Sequence, residues 1–217
     1  MKSKNICRHS GVISRTDWEC LNSHKSAVFW LTGLSGAGKS TIAHGVEKEL
    51  FNLGMRAKVF DGDNVRHGLC GDLSFSDEAR AENTRRIAEV AKLFVENGTI
   101  CLCAFISPLK ADRERVQAII GPGDYYEVFI SCPVDECEQR DVKGYYKMAR
   151  QGKIKNYTGV SAPYEAPDNP DLTVETAGHS VEDSVQCVVA FIKSKIASDE
   201  LEKENKKALG ADMARVV

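Results

Sequence analysis

The first residues with recognisable chemistry are consecutive: Gly33-Leu34-Ser35-Gly36-Ala37-Gly38-Lys39-Ser40. The spacing is G-x-x-x-x-G-K-[ST]. Glycines let the backbone curl until successive N–H groups point inward at phosphate oxygens, and a helix starting near Lys39 adds its positive N-terminal end. In such a loop Lys39 reaches the β- and γ-phosphates and the Ser40 hydroxyl binds Mg2+. A nucleotide is the expected ligand. The loop does not by itself choose among kinases, ATPases and GTPases.

Three further observations narrow the choice. A guanine-reading N-K-x-D would follow a later strand, whereas Asn205-Lys206-Lys207-Ala208 lacks the Asp and sits in a charged tail. A motor-type ATPase usually ends an inner strand in an acidic residue, but the apolar run Ile100–Ile106 ends in Ser107-Pro108. The acidic residues that do end a strand are in Asp61-Gly62-Asp63. Two close carboxylates at the carboxyl end of a parallel strand suit Mg2+ binding and proton acceptance from an attacking hydroxyl. The pattern suits a small-molecule kinase.

Other side chains fit an anionic, aromatic acceptor. Arg66 and Arg80 can form charge-assisted bonds to an anion, and Arg80 and Asn83 share one helix face. Phe75 and Tyr157 lie in polar loops with little core to join, and such a pair of rings can sandwich a purine. Arg140, Lys143, Lys147 and Arg150 recur at helical spacing and would form a basic stripe, suited to a mobile lid that shields the transferred phosphoryl.

These residues need a scaffold, and the hydrophobic pattern supplies one. Short apolar runs at Ala27–Leu31, Ala57–Phe60, Ile100–Ile106, Tyr126–Ile130 and Leu172–Val174 read as strands. Helical patterns cover Lys39–Asn52 with Gly54 beyond it, Ser76 as N-cap through Asn97 to Gly98, Lys110–Ile120 and Val181–Ile196. Pro133 sits where a helix would begin. Residues 62–75 and 151–170 read as loop. Alternation of this kind predicts a parallel α/β sheet with helices on both faces. Residues 1–24 read as an N-terminal arm, 25–196 as the domain with a lid at about 140–170, and 197–217 as a charged tail.

Composition closes off other classes. The 217 residues hold 29 Lys+Arg and 31 Asp+Glu, a net charge of −2. That excludes a strongly basic nucleic-acid binder and a polyacidic disordered chain. Eight cysteines, at 7, 20, 70, 101, 103, 132, 137 and 187, form no C-x-x-C pair and read as reduced intracellular thiols. Five histidines show no H-E-x-x-H spacing for catalytic zinc. No signal-peptide or membrane-spanning run is visible, so a soluble cytoplasmic protein is expected, with neither nucleic acid nor membrane as partner.

Five ordered motifs make a specific resemblance. Asp61-Gly62-Asp63-Asn64-Val65-Arg66, Phe75-Ser76, Arg80-Ala81-Glu82-Asn83, Phe105-Ile106-Ser107-Pro108 and Asp141-Val142-Lys143-Gly144 make the chain similar, over roughly residues 8–193, to the adenylylsulfate kinase (APS kinase) family. The resemblance implies a P-loop kinase fold with a five-stranded parallel sheet and a small lid. It implies transfer of the γ-phosphate of ATP to the 3′-hydroxyl of adenosine 5′-phosphosulfate (APS), giving PAPS, with Mg2+. It implies ATP contacts from Gly33, Ser35, Gly36, Ala37, Gly38, Lys39, Ser40, Thr41, Arg140, Lys143, Ala177 and Gly178. APS contacts would come from Asp63, Arg66, Phe75, Arg80, Asn83, Ile106, Ser107, Asn156 and Tyr157. Ser40, Asp61 and Asp63 would hold the metal, and Lys39, Asp61, Asp63 and Lys143 would carry catalysis. Family descriptions carry Ser107 as a phosphoserine intermediate. In-line transfer needs no covalent enzyme form and no base sits beside Ser107 in sequence, so it reads here as a contact to the acceptor. The family also suggests a homodimer and a functional link to ATP sulfurylase. The alternatives are a kinase for another nucleotide or polyol, a GTP-binding switch, and an inactive sulfurylase partner, against which intact Lys39, Asp61 and Asp63 argue.

Overall fold

The computed structural model describes residues 6, 7, 9 and 11–197. The charged tail expected from residue 197 lies outside them, apart from Ala197. In chain order the elements are α1 (Arg15–Asn22), β1 (Val28–Thr32), α2 (Lys39–Asn52), β2 (Ala57–Asp61), α3 (Gly62–Arg66), α4 (Asp77–Glu96) and β3 (Ile100–Ala104). Then follow α5 (Lys110–Ile120), β4 (Tyr125–Ser131), α6 (Val134–Arg140), α7 (Tyr145–Arg150), β5 (Leu172–Glu175) and α8 (Val181–Ile196). Five parallel strands run in the order β2-β3-β1-β4-β5.

The central strand explains the layering. All five residues of β1 are buried. Phe29 and Leu31 join one apolar cluster with α2 and α8, which includes Ile42, Val46, Val188 and Ile192. Val28 and Trp30 point the other way, into a cluster with Ile87 and Ala91 of α4 and Val116 of α5. Alternate residues of a strand face opposite sides, so an apolar run this short can anchor two helical layers. Each large buried side chain contributes roughly 1.5–3 kcal/mol. No helix among the described residues is long and apolar enough to cross a membrane.

Helix ends follow local chemistry. Beyond α2, Gly54 adopts φ 74°, its N–H meets the Phe51 carbonyl at 2.9 Å, and the Met55 N–H meets that of Leu50 at 2.9 Å, a Schellman closure. Ser76 caps α4 by accepting from the Ala79 N–H, and Ser180 caps α8 through the Asp183 N–H.

Four expectations need correction. Part of the supposed arm is helical: Ser14 and Asp17 form a reciprocal capping box that starts α1. The expected loop 62–75 opens with α3, because Asp61 accepts from the N–H groups of Asp63 and Asn64. The third strand stops at Ala104 rather than Ile106, since Ser107 turns to φ 42°. The basic stripe does not lie on one helix. Asp141 (φ 7°) ends α6 and its carboxylate accepts from the N–H groups of Tyr146 and Lys147, starting α7 afresh, while Gly144 takes φ 69°. Arg140 therefore turns to Thr176 and Arg150 to Glu138.

Candidate active site

The glycine loop joins β1 to α2 under tight constraint. A Cβ on Gly33 would overlap the Ile130 carbonyl of β4, and one on Gly36 would come within 2.9 Å of the Cys137 carbonyl. Lys39 curls back into the loop, its Nζ donating to the carbonyls of Gly33 at 2.9 Å and Leu34 at 2.6 Å. Burial pushes this ammonium down to about 8, because desolvation disfavours charge. Ser35 and Gly36 are partly exposed, Ala37 is buried, and Thr41 is exposed on the first turn of α2.

The loop meets both sides of the site. Ser40 Oγ lies 2.5 Å from Asp61 Oδ2, while Asp61 Oδ1 accepts from the Asp63 N–H at 2.9 Å. Asp63 turns outward and forms an ion pair with Lys143, on the α6–α7 connection. Partial burial disfavours the Lys143 charge, but the Asp63 carboxylate outweighs it and raises that lysine above its ordinary value. At the loop's other flank, Thr176 Oγ donates to the Ala37 carbonyl at 3.0 Å. Arg140 donates to Thr176 Oγ at 3.1 Å and to its carbonyl at 3.0 Å. Thr176, missed in the sequence, thus docks Arg140 and the following Ala177 and Gly178 against the loop. Its only signal was its place next to Ala177 at a strand end.

The acceptor-side residues gather around Arg80. Its guanidinium donates to the carbonyl of Phe75 at 3.0 Å, to Thr158 Oγ at 3.1 Å and to the carbonyl of Asn156 at 3.0 Å. One side chain thereby ties the segments carrying Phe75 and Tyr157, far apart in sequence. The Phe75 ring is 66% exposed, with the Arg66 guanidinium 4.3 Å from its centre. Burial lowers the Arg66 value, and its Nη1 meets the carbonyls of Leu73 and Ser74 at 3.1 Å. Tyr157, expected to have little core to join, is instead half-buried against the core, packing edge-on on Tyr146 at 5.1 Å. Asn83 is 5% exposed and its Oδ1 has no hydrogen-bond partner. Ile106 offers its carbonyl to Thr32 Oγ at 2.8 Å. Ser107 is buried, its Oγ accepting from Trp30 Nε1 at 2.9 Å; its hydroxyl is engaged below the surface rather than presented beside a base.

The donor set fits Mg2+. Ser40 and Asp61 bring a hydroxyl and a carboxylate oxygen into contact next to the phosphate loop. No group of three or more His, Cys, Asp or Glu among the described residues could cage a metal alone. Mg2+ takes one or two protein oxygens and completes its shell with phosphates and water. Asp63, paired with Lys143, stands apart from that contact.

The chain resembles known proteins over most of its length. A family model described as adenylylsulphate kinase matches residues 25–175. The adenylyl-sulfate kinase of Acaryochloris marina is 51% identical over 195 residues, 90% of this chain and 95% of the relative. The probable adenylyl-sulfate kinase of Bacillus subtilis is 49% identical over 197 residues, 91% of this chain and all of the relative. The structure of the Mycobacterium tuberculosis APS kinase in complex with AMPPNP and APS is 44% identical, with TM-score 0.74, covering 78% of this chain and 98% of that one. The matched span runs from the entry into β1 to the end of β5 and takes in the phosphate loop, both aspartates and the α6–α7 connection; the chain belongs to the adenylylsulphate kinase family.

Proposed function

We propose that this chain transfers the γ-phosphoryl group of ATP to the 3′-hydroxyl of adenylyl sulfate, giving 3′-phosphoadenylyl sulfate and ADP. The observation that carries this reading is the Arg80 junction. It ties together the segments that carry Phe75, Asn156 and Thr158, while Asp61 and Asp63, two positions apart, reach from Ser40 of the phosphate loop to Lys143 of the lid.

The reaction then follows from the side chains. The loop N–H groups and Lys39 hold the β- and γ-phosphates, whose negative charge favours the ammonium form of Lys39. Ser40 and Asp61 would hold a Mg2+ ion, which would supply positive charge beside the phosphate oxygens. Phe75 stacks on the acceptor purine, and Arg66 and Arg80 face its phosphosulfate. Asp63 accepts a hydrogen bond from the 3′-hydroxyl. As the new oxygen–phosphorus bond forms and the bond to the β-phosphate oxygen breaks, Asp63 takes the hydroxyl proton. Lys143, already beside Asp63, faces the migrating phosphoryl and neutralises its charge. Ser107 shapes the acceptor loop and forms no covalent bond.

The homodimer and the upstream ATP sulfurylase implied by the resemblance complete this proposal; light scattering tests the first. The reaction is tested with ATP labelled in its γ-phosphate. Label should appear at the 3′ position of adenylyl sulfate. Label transferred to water or a polyol, with adenylyl sulfate left unchanged, overturns the reading.

A further inference from the structure

Behind the acceptor loop lies a buried guanidinium that the site above does not include. Arg113, in the first turn of α5, is 3% exposed. Its Nε donates to Glu127 Oε1 at 2.7 Å, its Nη1 to the Ser107 carbonyl at 2.8 Å, and its Nη2 to the Glu165 carbonyl at 2.8 Å. Glu165 answers with two bonds of its own. Its N–H donates to the Pro108 carbonyl at 2.9 Å, and its carboxylate accepts from the Lys110 N–H at 2.7 Å. That carboxylate caps α5, whose own N-cap residue, Leu109, offers no side-chain bond. Next to it, the Tyr164 hydroxyl lies 3.0 Å from Thr32 Oγ, which also holds the Ile106 carbonyl.

We propose that Arg113 is a positioning residue for the phosphoryl transfer. It locks the acceptor loop, 106–108, to the C-terminal end of the lid segment, at 164–165, so that this loop is set before adenylyl sulfate arrives. The role rests on the reaction proposed above. A serine at φ 42° persists only where its surroundings over-determine it, and the fork on its carbonyl does so. Packing alone would be served as well by an apolar side chain, because a buried ion pair is weak evidence for stability. A planar fork aimed at one carboxylate and two main-chain carbonyls fixes the path of two segments at once, which a lysine's point charge cannot do.

Arg113→Lys keeps a cation for Glu127 but cannot span both carbonyls. It should raise the KM for adenylyl sulfate about tenfold or more, since small misplacements near reacting groups are costly. ATP affinity without acceptor should stay within about twofold of wild type. Glu127→Ala removes the carboxylate that aims the fork and should move the same KM in the same direction, and Glu127→Gln, which keeps an acceptor for Nε, should restore most of it. The double variant Arg113→Lys with Glu127→Ala should be no worse than Arg113→Lys alone, because both release the same fork. Equal losses for both nucleotides, or additive effects in the double variant, overturn the proposal. An unchanged KM in Glu127→Ala overturns it even where Arg113→Lys fails to fold. Wild type assayed alongside separates the two levels: a wild-type chain that leaves adenylyl sulfate untouched overturns the reaction itself and this role with it.

Discussion

Lys143 and Asp63 meet as an ion pair although 80 residues separate them. The contact divides the work of the two neighbouring aspartates. Asp61 is turned to Ser40 and Asp63 to Lys143, so their substitutions should fail differently. Asp63→Asn should lower kcat by about 10²–10⁴, the usual worth of a positioned proton acceptor, and excess Mg2+ should not restore it. Asp61→Asn should raise the Mg2+ concentration needed for half-maximal rate, with partial recovery at high Mg2+. Steady-state kinetics over a Mg2+ series decides; a near-normal kcat in Asp63→Asn would move the proton-accepting role to Asp61.

Lys39→Ala removes the charge buried in the phosphate loop. The variant should keep its far-UV circular dichroism and lose transfer by at least about 10², the lower range for removing a preorganised electrostatic contact. Turnover within tenfold of wild type would show that the loop does not hold the migrating phosphate.

Phe75 is exposed, with the Arg66 guanidinium over its face, so its ring is not part of the core. Phe75→Ala should weaken adenylyl sulfate binding by about 1–3 kcal/mol, the range for a base stacked on an aromatic. Calorimetry with ADP alone should show little change. Losses of equal size for both would mark Phe75 as structural.

Ser107 accepts a hydrogen bond from Trp30 and is held by Arg113 through its carbonyl. Ser107→Ala removes only the first of these and should retain measurable activity. No acid-stable phosphoenzyme should accumulate from labelled ATP without acceptor. Stoichiometric phosphoserine at this position, discharged on adding adenylyl sulfate, would refute direct transfer.

His24 gives the fold a pH dependence. It is 2% exposed, and its Nε2 accepts from the Arg56 N–H at 3.1 Å, so its proton sits on Nδ1, 2.9 Å from the Lys25 carbonyl. Burial, outweighing the Lys25 carbonyl and Glu19, holds its value below the ordinary imidazole range. The unfolded chain therefore binds this proton more readily. The stabilisation is present above about pH 6.5 and is lost as pH falls from there toward the folded value. Thermal melts from pH 8 to pH 5 should show wild type losing more stability than His24→Gln; parallel curves would assign the loss to other groups.

What the sequence revealed was periodic or contiguous. The 3.6-residue pattern placed α2, α5 and α8 with their observed ends, and the glycine loop followed from its spacing. What it concealed depended on partners far along the chain or on a single side chain overriding a pattern. The charges at 140, 143, 147 and 150 fit one helix, but the Asp141 carboxylate captures two main-chain N–H groups and divides it. Thr176 reaches the phosphate loop only because β5 lies beside β4. Arg113 and Glu165 meet only once α5 and the segment before β5 are packed. The start of α1 was legible in Ser14 and Asp17, a capping signature within a stretch too short and polar to show an apolar stripe.

The central position of β1 also governs how the chain can be made. Val28 pairs with Cys101 on one side and Tyr125 on the other, so both neighbours emerge from the ribosome long after β1 itself. Until then Val28, Phe29, Trp30 and Leu31 present open edges and bare hydrocarbon on both faces, the features that invite strand pairing between molecules. Gly33 of the phosphate loop packs directly against the Ile130 carbonyl of β4, so that contact too waits for the later strand. A fragment ending before β3 should therefore depend on chaperones to stay dispersed. The full chain, built from non-local parallel pairings, should refold on the order of milliseconds to seconds.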